Sequence, residues 1–248
     1  MLRPRTLAAI AAARAAGIRV ILVTGRMFRS ILPYAVAAGI DDAVVCYQGA
    51  VVADQATGRF LRHVPIPTEL AREAVAAVQA EGFALNCYVD DELYVSQVTP
   101  ESRSYAGFQS IPLNAVGDLA AWLEKPPTKL VAIGPEEEMD ALEVRMKARF
   151  GRRLYISKSL PTFLEFASPD VSKGTGMAFV SELLGFPAER AVAFGDGEND
   201  VELLEWAGYG VAVANAHPRL LRIADWLCPP AGEEGTAQVI EALLDSLA

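Results

Sequence analysis

Ala191-Val192-Ala193-Phe194-Gly195-Asp196-Gly197-Glu198-Asn199-Asp200 is the stretch on which the reading of this chain turns. Four apolar residues form a strand that runs straight into a glycine-rich turn holding three acids and an amide. A helix near Val201 to Trp206 follows, and then a second apolar strand, Gly210-Val211-Ala212-Val213. Apolar runs without alternation belong to parallel strands covered on both faces. A helix from about Lys173 to Leu184 leads into this segment. The N-terminal part repeats the alternation, with a helix over Thr6 to Ala16 ended by Gly17 and a strand, Ile18-Arg19-Val20-Ile21-Leu22-Val23. The turn Thr24-Gly25-Arg26, a helix from about Phe28 to Ala38 and a strand over Ala43 to Tyr47 come next. Alternating helices and apolar strands predict an α/β fold with a doubly wound parallel sheet.

The middle of the chain has another pattern. Between about Arg62 and Glu165 the strands alternate polar and apolar residues, as in Glu92-Leu93-Tyr94-Val95-Ser96, and longer helices lie near Glu69 to Gln79 and Glu136 to Phe150. Alternation indicates an antiparallel sheet with one wet face. The expected organisation is therefore a Rossmann-like α/β core made of residues 1–61 and 166–248, with an α+β domain inserted at 62–165. Pro65 and Pro67 mark one junction, Ser168 and Pro169 the other.

Composition narrows the function. The chain has 248 residues, 52% of them hydrophobic and 21% charged, with a formal net charge of −9. That content excludes a disordered chain. The acidic balance excludes a general nucleic-acid binder, because duplex affinity comes mainly from Lys and Arg on phosphates. It leaves room for a small anionic ligand, since a few local cations outweigh a distant net charge. Cys46, Cys87 and Cys228 stand far apart with no C-x-x-C spacing, which predicts buried thiols, no disulfide framework or zinc site, and a reducing cytoplasm. Leu2 to Ala16 is rich in Arg and Ala, but Arg14 interrupts it and no small-residue cleavage site follows, so it reads as a first helix. No apolar run is long enough to span a membrane.

Three segments carry chemistry. Asp196 and Asp200 fall beyond the carboxyl end of an apolar strand, where open α/β sheets bind ligands. They offer oxygen ligands to a hard cation, and Mg²⁺ suits one or two carboxylates plus phosphate and water. The same turn also reads as a solvated acidic cap for the next helix. Thr24-Gly25-Arg26, also at the end of an apolar strand, reads as a phosphate cradle or as a simple helix cap. Lys173, in Val171-Ser172-Lys173-Gly174, sits at a helix start, where a cation opposes the helix dipole; it marks either a surface charge or a local anion.

In this order, and separated by an insert, the three segments resemble the haloacid dehalogenase-like superfamily. More narrowly, they resemble the Cof-type phosphatases with a large cap inserted after the third core strand. The resemblance extends to Val211-Ala212-Val213-Ala214-Asn215-Ala216 and to Ala224-Asp225. It implies a phosphoryl transfer in which an aspartate attacks phosphorus and the aspartyl phosphate is then hydrolysed. Carried over, Thr24 would hydrogen-bond the phosphoryl oxygens beside the Gly25 backbone. Lys173 would neutralise the phosphoryl group and hold the attacking carboxylate. Asp196 would ligate Mg²⁺, and Asp200 would support the metal or Lys173. Asn199 would touch the phosphate or a metal-bound water, and Arg26 the phosphate or the closing cap. The implied substrate is a small phosphorylated metabolite, a sugar phosphate or similar monoester. The implied assembly is a monomer or homodimer in the cytoplasm, with no nucleic-acid or membrane partner. Tyr88, Asp90, Asp91 and Tyr94 in the insert are candidates to face the pocket.

One part of the family pattern is missing. The family begins with a strand ending in Asp-x-Asp-Gly-Thr, which supplies nucleophile and general acid, whereas Met1-Leu2-Arg3-Pro4-Arg5-Thr6 leads directly into the first helix and no Asp precedes Asp41. A smaller departure is Gln48-Gly49-Ala50, where the family usually has Asn-Gly-Ala. A central strand burying about four large apolar side chains contributes ~6–12 kcal/mol, as much as the whole stability of a typical domain. The expectation is thus a start codon assigned too late, or a truncated chain, inactive as given. The rival reading is a non-catalytic phosphate-binding or regulatory protein that keeps Thr24, Lys173 and Asp196. A dinucleotide-binding protein is excluded, because the Gly-Asp-Gly turn lacks the G-x-G-x-x-G spacing.

Overall fold

Val44-Val45-Cys46 and Val51-Val52-Ala53 are wholly buried and pair antiparallel around a tight turn, Tyr47–Gly49. They belong to the first of two units in the computed structural model, which describes residues 2–247. That unit comprises the chain up to Thr24, Ile31–Arg62 and the part from Ser172 onward. A second sheet in it is all parallel, with Val192–Gly195 beside Tyr209–Val213 and the latter beside Trp226–Cys228. The register sets Phe194 against Val211 and Ala212 against Leu227. Val211 and Ala212 are fully buried, as a strand with neighbours on both edges requires. The helix Pro4–Ala15 packs along Gly235–Leu247, where Arg5 pairs with Glu241 and Thr6 donates to Glu234.

The expected strand over Ile18 to Val23 is only partly realised. One parallel bridge, Val23 to Val45, is formed, with Val45 N–H donating to Leu22 O and Thr24 N–H to Val45 O, each at 2.9 Å. The reason is that its partner is three residues long and covers one edge only. Among the described residues, Val192–Gly195 likewise pairs along one edge, with Tyr209–Val213. Ile18 and Val192 are 37% and 38% exposed, high for β-branched residues in parallel-type strands.

The second unit comprises Gly25–Ser30 and His63–Val171. Its six-stranded sheet has the order Asn114–Ala115, Glu92–Val95, Leu85–Val89, Lys129–Ile133, Phe163–Ala167, Tyr155–Leu160. All neighbours are antiparallel except the first pair. One face carries Leu85, Cys87, Leu130, Ala132, Leu164 and Phe166 and packs on the helices Thr68–Ala80 and Glu136–Phe150 through Val75, Val78, Met139 and Leu142. A single wet face was expected, and it is confined to strands away from the centre, such as Glu92–Val95 and the edge strand Tyr155–Leu160; Leu85–Val89 is buried at every residue. The cause is a further helix, Pro100–Gln109, started by a Thr99–Ser102 capping box, whose Tyr105 and Gln109 are buried. Tyr88 Oη donates to Tyr105 Oη at 2.6 Å, and Lys129 and Glu165 form a buried ion pair at 3.2 Å. Burial pulls the Lys129 ammonium down, but Glu165 and Tyr105 more than offset this and hold its pKa above the usual lysine value. Burial pushes the Cys87 thiol up to about 12. No helix among the described residues is long and apolar enough to cross a membrane.

His63 is exposed at one face, with Nε2 2.9 Å from Thr128 Oγ1. Desolvation lowers its pKa from the ordinary 6.5, and the charge of Asp90 offsets this only in part. The folded state then binds this proton less readily than the unfolded chain, so stability from this residue is present above pH 6.5 and is lost as pH falls through the folded value. His63→Gln is expected to reduce the slope of stability against pH between about pH 6.5 and 5, read from urea unfolding midpoints. An unchanged slope would show that the imidazole is not desolvated.

Candidate active site

The closest backbone approaches of the site in the first unit occur at glycines. The helix Lys173–Leu184 starts with a capping box, in which Ser172 Oγ accepts Thr175 N–H and Thr175 Oγ1 accepts Ser172 N–H. Its first turn, Lys173-Gly174-Thr175-Gly176, packs backbone to backbone on both sides. A Cβ on Gly176 would lie 2.6 Å from Val45 Cγ1 and 2.9 Å from Gly49 Cα, and one on Gly174 would meet the Glu202 carbonyl. Glycine mid-helix weakens the helix intrinsically, and here it lets the helix start wedge between the Gly49 turn and the helix Val201–Trp206.

That wedge delivers Lys173 to Asp200. Lys173 Nζ lies 2.5 Å from Asp200 Oδ1, and the two side chains are 8% and 5% exposed. A cation at a helix N-terminus opposes the dipole, so the carboxylate is what holds this charge in place. Asp200 Oδ2 accepts the backbone N–H of Asp196 and of Gly197, each at 3.0 Å. Gly195 and Gly197 are required by close approach: a Cβ at either would lie 2.5 Å from Asp200 Cβ or from Asn199 Oδ1. The turn is thus folded over the Asp200 carboxylate. Asp196 is held through its main chain, its carbonyl accepting His217 N–H at 2.8 Å, while its side chain is exposed and has no partner among the described residues.

Thr24 and Asn199 are tied to this cluster through a residue whose site role the sequence did not disclose. Gln48 N–H donates to Thr24 O at 3.1 Å, and Gln48 Oε1 accepts Asn199 Nδ2 at 3.0 Å. Thr24, Lys173, Asp196, Asn199 and Asp200 are therefore linked by one chain of contacts within the first unit. Gly25 and Arg26 make their contacts in the second unit, where Gly25 O accepts Lys129 Nζ at 2.9 Å and Arg26 lies over the Phe108 ring, 5.1 Å from its centroid. Tyr88 is buried in that unit, and Tyr94 stacks on Trp122 with centroids 4.4 Å apart. Asp90 and Asp91 form a left-handed hairpin turn; Asp90 pairs with Lys125, and Asp91 accepts the backbone N–H of Phe28 and Arg29. The glycines at 174 and 176 gave a signal that could have been read, since two glycines in a first helical turn are costly without close packing.

The donor set was weighed against a divalent cation. Asp196 offers a whole carboxylate, whereas Asp200 Oδ2 is saturated by two N–H groups and Oδ1 keeps one lone pair beside Lys173. No group of three or more His, Cys, Asp or Glu able to hold a metal occurs among the described residues. Mg²⁺ keeps several waters and takes one or two carboxylates plus phosphate, so the residues present fit it as a partial site centred on Asp196.

The family model for haloacid dehalogenase-like hydrolases matches residues 1–240. The chain belongs to that family. A Bacillus subtilis 5-amino-6-(5-phospho-D-ribitylamino)uracil phosphatase is 27% identical to this hydrolase over 90% of the chain and 83% of its own length. A solved haloacid dehalogenase-like hydrolase from Bacteroides thetaiotaomicron superposes with a TM-score of 0.88 at 21% identity, covering 98% of this chain and 93% of its own. A second solved structure, described as a haloacid dehalogenase subclass IIB sugar phosphatase, gives a TM-score of 0.82 at 20% identity over 98% and 92%. The α/β fold of this hydrolase, with its second α+β unit, is the fold of the family.

Removing one member of a buried ion pair strands the other charge, at about 3–5 kcal/mol. Asp200→Ala is expected to destabilise the hydrolase by that order, and Lys173→Met in the Asp200→Ala background to recover part of the loss. Urea unfolding of the four proteins in the cycle reads the coupling. Additive losses would show that the pair does not support the fold.

Proposed function

We propose that this hydrolase is the phosphate-binding and metal-assisted part of a phosphatase for small phosphorylated metabolites, sugar phosphates or similar monoesters. The observation that carries the reading is the Lys173–Asp200–Asp196 chain: a buried cation held by a carboxylate that also folds the turn presenting Asp196. In this reading Thr24 and Asn199 donate to phosphoryl oxygens, and Lys173 faces the phosphoryl group with its ammonium fixed by Asp200. Fixed cations and N–H groups that need no reorganisation are the main source of rate in phosphoryl transfer. When bound, Mg²⁺ supplies positive charge against the phosphoryl oxygens, with Asp196 as its protein ligand. The Bacillus subtilis relative, which acts on a phosphorylated ribitylamino-uracil, supports the substrate class. The free thiols of Cys46, Cys87 and Cys228, none in a disulfide, support a cytoplasmic setting.

The family's aspartyl-phosphate chemistry needs one more carboxylate. Among the described residues no third acid joins Asp196 and Asp200, and Ile18–Val23 and Val192–Gly195 are each paired along one edge. We infer that the chain as given does not turn over, because the residues it brings together lack the attacking carboxylate that this chemistry needs. The same gap favours a second reading, in which the chain binds phosphate without catalysis.

Hydrolysis of p-nitrophenyl phosphate with Mg²⁺ separates the readings. The chain as given is expected to be inert, and a version carrying an N-terminal Asp-x-Asp-Gly-Thr strand is expected to be active and to lose activity on Asp196→Ala. Loss of a covalent nucleophile costs on the order of 10⁶ in rate, so residual turnover should be undetectable. Turnover by the unextended chain would overturn the missing-nucleophile inference, and inertness of the extended version would favour phosphate binding alone.

A further inference from the structure

Tyr47, Gln48 and Gly49 are three successive residues with left-handed backbone, φ 51°, 59° and 97°. Two of them carry side chains that resist this region, and both are buried, Tyr47 at 0% and Gln48 at 6% exposure. Strain of this kind persists only where the surroundings over-determine it, and it is concentrated at functional sites. Its effect is visible in what the turn reaches. Gln48 N–H donates to Thr24 O, and Gln48 Oε1 accepts Asn199 Nδ2. Gly49 lies against the Ser172 carbonyl so closely that no Cβ fits, and its own carbonyl accepts Arg62 Nη1 at 2.6 Å. One buried turn thus touches the segments bearing Thr24, Lys173 and Asn199.

We propose that Gln48 is a positioning residue, which by gripping the Asn199 amide and the Thr24 carbonyl fixes the spacing and orientation of the two oxyanion-binding turns. The proposal rests on the phosphate-site reading given above. Gln48 does not touch the phosphate; it acts through Asn199. With one Asn199 N–H committed to Gln48, the amide plane is fixed, and the remaining N–H and Oδ1 face in set directions. Oδ1 points back over Gly197, where a Cβ would lie 2.5 Å away. The side chain's length matters to the grip. Asparagine at this position tolerates the left-handed backbone well but is one methylene shorter. Gln48→Asn therefore relieves strain and removes the reach, and Gln48→Met keeps the length and removes the acceptor.

The test uses the chain as it exists, with ¹⁵N-edited spectra of the Asn199 side-chain amide and calorimetric titration with orthophosphate and Mg²⁺. The Asn199 signal, identified by its loss in Asn199→Ala, is expected to be shifted from the exposed-amide position and to return towards it in Gln48→Met. Orthophosphate affinity is expected to fall about 10–100-fold in Gln48→Met and in Gln48→Asn, the range for lost outer supports of a site. In Gln48→Met combined with Asn199→Ala it should fall no further than in Asn199→Ala alone, because residues acting through one contact are non-additive. An Asn199 signal unmoved by Gln48→Met, or losses that multiply, would overturn the positioning role. Wild-type chain that binds no orthophosphate would overturn the phosphate-site reading, and the positioning role with it; that outcome is distinguishable because it appears before any substitution.

Discussion

The buried pair of Lys173 and Asp200 is the constraint from which the rest of the site follows. A lysine with a side chain 8% exposed at the start of a helix faces two penalties, lost hydration and an unfavourable dipole. Both are met by one carboxylate. That carboxylate is in turn held by Lys173 and by two backbone N–H groups from the turn it closes. The backbone of Asp196 thereby acquires its place, and its side chain is left to point outward. A carboxylate used twice explains why the turn contains two aspartates with unequal surroundings: Asp200 is buried and fully engaged, and Asp196 is exposed.

Much of this architecture was legible in the sequence. The uninterrupted apolar run at Ala191 to Phe194 and the alternation of helices and strands around it gave the α/β class, because strands covered on both faces leave that signature. The acidic turn that ends in Asp200 follows the strand Val192–Gly195, as the apolar run before it predicts. Less legible were features that depend on partners distant in sequence. Alternation in Glu92 to Ser96 suggested a wet face for the second sheet, yet the helix Pro100–Gln109 covers its central strands. That helix has a polar-rich sequence and is identified by its capping residues rather than by hydrophobic period. Periodicity also promised a full strand at Ile18 to Val23, where a single three-residue neighbour supports only one bridge.

Gln48 illustrates the same limit at the site itself. In the sequence it stands out only as a departure from Asn-Gly-Ala, and a glutamine between a tyrosine and a glycine carries no chemical signal. Its meaning lies in a left-handed turn that sequence propensity would assign to glycine or asparagine. The glycines at 174 and 176 are the converse case. They are poor helix formers whose presence makes sense only because Gly49, Val45 and Glu202 approach so closely that a methyl group would not fit. Backbone proximity, more than side-chain identity, brings the three chemistry-bearing segments together.

Formal charge bears on the Mg²⁺ proposed at Asp196. Lys173 contributes +1, while Asp200 and Asp196 contribute −1 each, so the three groups together carry −1. Thr24 and Asn199 add hydrogen-bonding capacity and no charge. A phosphate monoester dianion brought to a locally negative cluster meets net repulsion, whatever the number of N–H groups that greet it. With a divalent ion held by Asp196 the balance would be +1, and an added nucleophilic carboxylate would return it to zero. The protein groups and ion would then be neutral before the dianion arrives, leaving fixed dipoles and Lys173 to stabilise the charge that develops. Without that ion, the Lys173–Asp200 pair spends its cation on its own carboxylate and has little left to attract an anion.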